Sequence, residues 1–403
     1  MNKPRSALFL LLASAWLGAA GAPALAAQLV PLGPEEYLNA DIFSNPPAVA
    51  AQPDGSSVVA WDDDSLSIEE GAVPYVYFPP GKGPEDRDAG WGALESPASI
   101  PDVDAVTAGR QGFDVLWHTR SGYGSEVAPK LFYRGHLDLK GNPVGKAVRL
   151  GGTGTEWVWQ VRGSGFMAGW MLPDKRGIAA RRLTASGQRT GPELRLNSRP
   201  INRPEGVSVV GLTDASFVAV WLGTAPGRPG TAVLRARRFS PEGKPLGPDF
   251  DINTIPLGTS YSPIFKVAAA PGGGFAVAWL AHQATYLRWF NAAGTPLGRE
   301  VTATASKEPE GIPESMAFDD EGNLVLLWSL DYEALQLRLF DPQGKPQGPP
   351  IDVNSDIDDD PWGRNYPQEG DLAWTGDSWL VAWVALIFPY DQGDVYVRRF
   401  AKK

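Results

Sequence analysis

The feature that most constrains the fold is an apolar run ending in tryptophan that recurs seven times along the chain. The runs read SVVAW, FDVLW, FMAGW, FVAVW, FAVAW, LVLLW and WLVAW. Their last residues, 49 to 58 positions apart, are Trp61, Trp117, Trp170, Trp221, Trp279, Trp328 and Trp383. Each run is apolar on both alternating faces, so each predicts a strand buried on both sides of its sheet. A period of this length predicts a repeat architecture.

Three further strands accompany each Trp strand in the predicted repeat. A strand and a tight turn precede it, such as PGGG at residues 271–274. A third strand follows, then a turn such as SPEGKPLG at residues 240–247 and a fourth strand such as FDIN at residues 250–253. The glycine of that second turn recurs at a fixed offset, as expected where a turn needs positive φ. Four antiparallel strands per repeat predict an all-β fold, a seven-bladed β-propeller.

The two ends of the chain predict how the ring closes. The seventh repeat stops at the end of its third strand, near Phe400, and lacks a fourth strand. Residues 30–39 (VPLGPEEYLN) read like residues 244–253 (KPLGPDFDIN) of the fourth repeat. We therefore expect the N-terminal strand to complete the last blade, which removes two open sheet edges. Residues 27–403 would form a single propeller domain.

Residues 1–26 have the pattern of a secretory signal peptide. Lys3 and Arg5 precede an apolar core at residues 7–20, and Ala24 and Ala26 fit a small-x-small cleavage site. The alternative is a retained membrane anchor, although the apolar core is short for a span. We expect a secreted or periplasmic monomer with no membrane span in the mature protein.

Composition narrows the class of partner and the source of stability. The chain has no cysteine, so export would bring no disulfide and stability must come from burial. Its formal net charge is −10 and it contains no basic run. These properties argue against a nucleic acid as the partner.

The recurrent VAW, R-F, G-x-P-L-G and V-N segments resemble repeats of secreted bacterial β-propeller proteins, many of them of unassigned function. The resemblance covers residues 28–403 and implies the fold without implying an activity. The chain lacks the GH and WD pair of WD repeats, the D-x-D-G-D-G loop of integrin-like repeats and the S-x-D-x-G-x-T-W box of sialidases. No catalytic residue is carried over from those classes.

An arginine two residues before the end of the third strand also repeats. It is found as Arg181, Arg237, Arg288, Arg338 and Arg398. A ring of arginines could bind an anion, but the equal placement favours pairing with acids on neighbouring strands.

The loops after each Trp and the links between blades vary, and strand alternation places them on one face of the ring. Binding residues concentrate on variable loops held by a rigid frame. The predicted ligand-binding residues on this variable-loop face are Trp362, Tyr366, Tyr123, Tyr261, Tyr332, Tyr390, His118 and His282. The aromatic residues could instead pack the loops down. Four other tryptophans on strands are expected in the core or lining the channel: Trp157, Trp159, Trp374 and Trp379.

Two acidic clusters on the same face could hold a calcium ion, which takes several oxygen ligands. Their residues are Asp62, Asp63, Asp64, Asp356, Asp358 and Asp360. The spacing matches no standard calcium loop, and the alternative is a pair of solvated acidic loops. No other cofactor is expected.

Motifs for catalysis are missing from the sequence, which has no G-x-S-x-G elbow, no H-E-x-x-H pair and no cysteine nucleophile. We therefore assign no catalytic residue. The sequence favours a non-catalytic binding protein with a glycan or protein ligand on the variable-loop face. One alternative is a glycoside-active hydrolase or lyase that uses loop carboxylates. Another is a structural envelope protein without a small ligand.

Overall fold

The computed structural model describes residues 27–403, apart from short stretches within that range. The stretches left out are 43–45, 63–70, 85–88, 98–100, 120–129, 153, 162–164, 202–205, 225–231, 258–263, 305–310, 331–333, 355–364 and 388–391. The described residues form strands, turns and irregular segments, and contain no helix. Within them, therefore, no helix is long and apolar enough to cross a membrane. The predicted signal peptide, residues 1–26, lies outside the described residues.

Seven antiparallel sheets of four or five strands form the blades, numbered one to seven along the chain. The inner strands are β3 (Ala48–Ala51), β7 (Pro101–Gly109), β11 (Trp157–Val161), β15 (Val207–Gly211), β19 (Phe265–Ala269), β23 (Gly311–Phe318) and β27 (Asn365–Trp374). The second strands are β4 (Ser57–Ala60), β8 (Gly112–Thr119), β12 (Gly165–Met171), β16 (Phe217–Thr224), β20 (Phe275–Ala281), β24 (Leu324–Leu330) and β28 (Trp379–Ile387).

The two outer positions complete each blade. The third strands are β5 (Ala72–Phe78), β9 (Phe132–Leu137), β13 (Ile178–Leu183), β17 (Ala232–Phe239), β21 (Ala284–Phe290), β25 (Ala334–Phe340) and β29 (Gln392–Lys402). The outer strands of blades one to six are β6 (Gly90–Glu95), β10 (Val148–Leu150), β14 (Arg189–Arg195), β18 (Phe250–Asp251), β22 (Val301–Thr302) and β26 (Pro346–Asp352). The outer edge of blade seven is formed by β1 (Leu29–Pro31) and β2 (Glu36–Ile42). The predicted seven-bladed β-propeller is confirmed.

The second strands form the core, as their apolar pattern predicts. All seven residues of β20 are buried. Apolar clusters join neighbouring blades; Trp117 of blade two, for example, packs with Ala48 and Val58 of blade one. Six of the seven repeated tryptophans are at most 1% exposed, and Trp170 of blade three is partly exposed instead. The blades are therefore held together by apolar faces that meet in pairs.

The repeated arginine joins adjacent blades. Arg338 Nε donates to the carbonyl oxygen of Gly348 in its own blade at 3.2 Å, and its Nη1 donates to Ala303 in the preceding blade at 3.1 Å. Equivalent acids accompany the same arginine in three other blades: Arg237–Asp249 at 3.7 Å, Arg288–Glu300 at 3.9 Å and Arg398–Glu35 at 3.5 Å. The predicted pairing with acids is confirmed for Arg237, Arg288 and Arg398, and the carbonyl contacts add that the arginine satisfies buried backbone groups.

Blade seven is closed by the N-terminal segment, as predicted. Leu29 pairs with Lys402 and Pro31 with Phe400 in an antiparallel ladder. Arg398 Nε donates to the Gly33 carbonyl at 2.9 Å, just as Arg237 Nε donates to the Gly247 carbonyl at 2.9 Å in blade four. The segment thus takes over the contacts of an ordinary fourth strand. The third strand is two residues longer than the repeat predicts, because its end pairs with β1.

Candidate functional site

One layer of side chains varies while the scaffold around it stays constant. Each member pairs with the residue that directly precedes a repeated Trp. This ring layer consists, from blade one to blade seven, of Ala48, Ala105, Trp157, Ser208, Lys266, Ser315 and Asp371. Blades one to three contribute small or aromatic side chains, and blades four to seven contribute polar or charged ones. Such divergence within a repeated framework indicates a site with its own chemistry.

A cavity of about 650 Å³ lies at the axis where the inner strands begin, which is the variable-loop face. We call it the axial cavity. Five members of the ring layer line it: Ala48, Ser208, Lys266, Ser315 and Asp371. Its size is within the range of small-ligand pockets.

Irregularities in the inner strands deliver additional carboxylates to the axial cavity. The β7–β8 ladder skips Asp104, the β23–β24 ladder skips Glu314, and the β27–β28 ladder skips the pair that contains Glu369. All three residues line the axial cavity. An extra residue in one strand re-aims a side chain, and such bulges are frequent beside functional sites.

Glu314 is the most perturbed of these acids. It is 8% exposed, and its Oε1 accepts a hydrogen bond from the Ser329 hydroxyl at 2.6 Å. Burial raises the pKa of Glu314 to about 7, against the opposing effects of Lys266 and the Ser329 hydrogen bond, while Glu369 raises it further. Near neutral pH this carboxyl therefore exists in both its protonated and its ionised form.

Asp371 is held firmly by two neighbouring blades. Its carboxylate accepts hydrogen bonds from the Ser315 hydroxyl of blade six at 2.5 Å and from the Val49 amide of blade one at 2.8 Å. The Leu372 amide donates a third hydrogen bond at 2.8 Å. Burial raises the pKa of Asp371 in spite of these bonds. The side chain is thus fixed in position at the cavity wall.

The charge of the axial cavity is unbalanced. Among its described lining residues, one side chain, Lys266, carries an amine, and four carry carboxyl groups: Asp104, Glu314, Glu369 and Asp371. Glu369 and Asp104 are exposed to solvent. A ligand with an amine or with several hydroxyl donors would match this wall, whereas a polyanion would be repelled.

A second cavity of about 320 Å³ adjoins the first, and we call it the cleft. Asp104 lines both cavities. His118, a predicted ligand residue, lies beside this junction with its Nδ1 2.9 Å from Asp104 Oδ2 and its Nε2 3.3 Å from Asp102 Oδ2. Because both ring nitrogens face carboxylates, His118 positions Asp104 at the junction.

Among the side chains that the structure describes, none of the other predicted ligand-binding residues lines either cavity. His282 is an exposed residue of the tight turn between β20 and β21, with a φ of 49°, and does not line the axial cavity. Tyr366 lies on β27. Five predicted aromatic residues lie outside the described residues: Trp362, Tyr123, Tyr261, Tyr332 and Tyr390. Their role in binding stays a prediction.

The predicted calcium site is mostly outside the described part of the chain. Asp62 is fully buried, while the remaining candidates are not described: Asp63, Asp64, Asp356, Asp358 and Asp360. The described residues contain no group of three or more His, Asp or Glu side chains arranged to hold a metal ion. Calcium binding at residues 62–64 and 356–360 stays a prediction.

Sequence reasoning overlooked the acids of the inner strands. The predicted site residues belong to the predicted loops and links and do not include Asp104, Glu314, Glu369 or Asp371. A usable signal exists, since aligning the inner strands on the repeated Trp shows the ring layer changing from Ala48 to Lys266 and Asp371.

The fold and this geometry define a seven-bladed β-propeller with a polar axial cavity at its variable-loop face. No family model matches the chain, and no curated protein matches it in sequence. A Dyadobacter fermentans protein of unknown function matches with a TM-score of 0.51 and 10% identity, over 93% of this chain and 99% of that one.

Two further solved structures have a similar fold. The polysaccharide lyase Uly1 matches with a TM-score of 0.54 and 9% identity, over 91% of this chain and 92% of the lyase. The Dos1 propeller matches with a TM-score of 0.50 and 10% identity, over 90% of this chain and 95% of its own. At these identities the likeness shows the propeller fold alone.

Proposed function

We propose that this protein is an exported, non-catalytic binding propeller that holds a glycan in the axial cavity. The observation that carries the proposal is the delivery of Asp104, Glu314 and Glu369 to one cavity by irregularities in three separate inner strands. Structural stability does not require these insertions, because blade five forms the same ladder without one.

The chemistry of the wall favours a hydroxyl-rich ligand. Carboxylates accept hydrogen bonds at several lone-pair positions, and Lys266 supplies three donors. Adjacent sugar hydroxyls could therefore donate to the carboxylates and accept from Lys266. The excess of carboxyl groups favours a glycan that is uncharged or carries amines over one that carries uronic acids or sulfates. A protein ligand would need the broader loop face and is the competing outcome.

Retention on glycan gels tests this proposal. Purified protein is run through native gels that contain a neutral β-glucan, chitosan or polygalacturonate, and retardation is expected with one of the first two. Glu369→Gln should weaken this retention about tenfold, since it replaces an exposed cavity carboxylate without removing a core contact. Glu242→Gln is the matched control, because Glu242 is an exposed acid in a second turn on the opposite face. Absence of retardation on every gel, or equal effects of the two variants, would contradict the proposal.

One observation favours glycoside cleavage as a second candidate function. Glu314, with a pKa of about 7, could donate a proton near neutral pH, and other carboxylates share its cavity. The same glycans incubated with the protein decide between the functions. Shortened products that disappear in Glu314→Gln would indicate an enzyme, and retention without products would indicate a binding protein.

A further inference from the structure

We propose that the cleft is a second sugar-binding subsite continuous with the axial cavity, so that the ligand is an oligosaccharide that spans both. This inference rests on the proposed function and specifies the length of the ligand. It places the additional sugar beside β11 of blade three, within the cleft that blades two, three and four line.

The ring of inner strands opens at one place. The other six neighbouring pairs of inner strands pack side by side, while the cleft separates β7 of blade two from β11 of blade three and extends to Val209 of blade four. Strand alternation directs Trp170 toward blade two, and Trp170 is the one repeated Trp that is partly exposed. Blades two and three still share an apolar cluster through Leu116, Phe132 and Phe166, so the opening is local.

The two cavities form one path. Asp104 lines both of them. Five members of the ring layer line the axial cavity, and the remaining two, Ala105 and Trp157, line the cleft. The same layer of the propeller therefore continues from one cavity into the next.

Aromatic side chains distinguish the cleft from the axial cavity. Trp157 and Trp159 stack with ring centroids 6.1 Å apart and an interplanar angle of 16°. They lie on the side of β11 that faces blade four and pack against the apolar cluster of blades three and four, yet both stay partly exposed and line the cleft. Two residues beyond the ring layer, where blade three has Trp159, the other blades have Ala50, Thr107, Val210, Ala268, Ala317 and Ala373. A flat, partly exposed indole packs well against the C–H face of a sugar ring.

The scaffold is adapted to hold these tryptophans. Trp159 Nε1 donates to the Val207 carbonyl of blade four at 3.3 Å. Gly169 faces the Trp159 ring, and a Cβ at that position would lie 2.4 Å from the ring. A pair of fixed indoles is a preorganised surface, which lowers the entropic cost of binding.

Polar groups surround the aromatic surface. Lys130, which is exposed, lies with its Nζ 5.0 Å from the Phe132 ring centroid. Glu156 and Gln160 line the other side and are held by the Met171 amide at 3.1 Å and Asp114 Oδ2 at 3.1 Å. The cleft therefore offers an apolar face with donors and acceptors around it, which is the arrangement that a sugar residue requires.

A length series tests the inference. Calorimetric titration uses glucosamine oligomers and cello-oligosaccharides of one to six residues, with oligogalacturonates as the acidic series. Affinity for one of the first two series should rise at least tenfold from the disaccharide to the tetrasaccharide. Trp157→Ala should abolish that rise and leave disaccharide affinity unchanged, whereas Glu369→Gln should weaken binding at every length.

Two further variants control for folding. Lys130→Ala alters an exposed cleft residue and should reduce tetrasaccharide affinity several-fold even if Trp157→Ala fails to fold. Trp91→Ala removes a Trp that is 58% exposed on the outer strand β6, and should leave the affinity at every ligand length unchanged.

The outcomes separate the two proposals. If the affinity of both Trp157→Ala and Lys130→Ala still rose with ligand length, the subsite would be overturned. Equal affinity of the wild-type protein for all lengths would overturn it as well. Neither result would contradict binding in the axial cavity. Absence of binding by the wild-type protein at every length would overturn the axial site and the subsite together. Preference for the acidic series would overturn the charge argument for both cavities.

Discussion

The buried carboxyl of Glu314, in the wall of the axial cavity, makes the stability of the protein depend on pH. Its pKa is raised from its ordinary value to about 7, mainly by burial. At a pH between the ordinary pKa of a glutamate and about 7, Glu314 is ionised in the unfolded chain but keeps its proton in the native state. The free energy of unfolding therefore falls as pH rises through this window, and the loss is complete above pH 7. Burial of an acid at this position costs stability at neutral pH, as is common at functional sites.

Replacing Glu314 by glutamine should remove this pH dependence. Near pH 4 the two proteins should have the same free energy of unfolding. Above pH 7 the variant should be more stable than the wild type by about 3 kcal/mol. The amide oxygen keeps the hydrogen bond with Ser329. Urea unfolding of both proteins at pH 4.5 and pH 8 measures the difference, and equal differences at the two pH values would contradict the assignment.

At the scale of elements, β11 and β12 are mutually adapted. Trp159 on β11 lies over Gly169 on β12, whereas the position of Gly169 holds Ala60, Leu116, Val220, Ala278, Leu327 or Ala382 in the other blades. The large indole on one strand thus accompanies the loss of a side chain on its neighbour. Such a pair preserves the spacing of the strands while placing aromatic surface at the cleft.

Gly169→Ala should destabilise the protein by about 1–3 kcal/mol, because its Cβ would overlap the Trp159 ring. The same change made together with Trp159→Ala should cost nothing beyond the loss of the indole, so the two effects are not additive. Gly272→Ala is the control, since no atom lies within 4 Å of its Cβ, and should change stability by less than about 0.5 kcal/mol. Additive effects in chemical unfolding would show that the two residues do not contact.

At the scale of the whole molecule, stability depends on closure by a segment remote in sequence from the blade it completes. The segment buries Leu29 and Leu38 and provides Gly33 and Glu35 as partners of Arg398. Without it, the edge of β29 would be unpaired and the buried Arg398 would keep the Val353 carbonyl but lose Gly33 and Glu35.

Deletion of residues 28–39 should lower the melting temperature by about 10 °C or more, since several kcal/mol of burial and hydrogen bonding are lost. A chain that begins at Ala27 retains β1 and β2 and is the matched control, which should melt as the longer protein does. If the deleted chain melted at the same temperature as this control, closure would contribute nothing to stability.

Much of the fold follows from the sequence because each local pattern occurs in several repeats. Seven Trp-terminated strands, glycines with positive φ such as Gly344 and Gly243, and the likeness of residues 30–39 to residues 244–253 each recur in sequence. Strand identity, turn position and ring closure depend on these short-range patterns, and all are confirmed. The predicted arginine–acid pairing is confirmed in three blades, where the acid recurs at an equivalent position of the repeat.

The candidate site was decided by the tertiary structure. Asp104 and Glu314 reach the cavity because the ladder leaves them unpaired on their inner strands, and which residue is left unpaired is decided only when the strands pair. The opening between β7 and β11 likewise depends on how two blades pack. The sequence by itself determined the repeated frame, because burial patterns and turns are local. The axial cavity brings together residues from blades one, two, four, five, six and seven, whose meeting is a property of the closed ring.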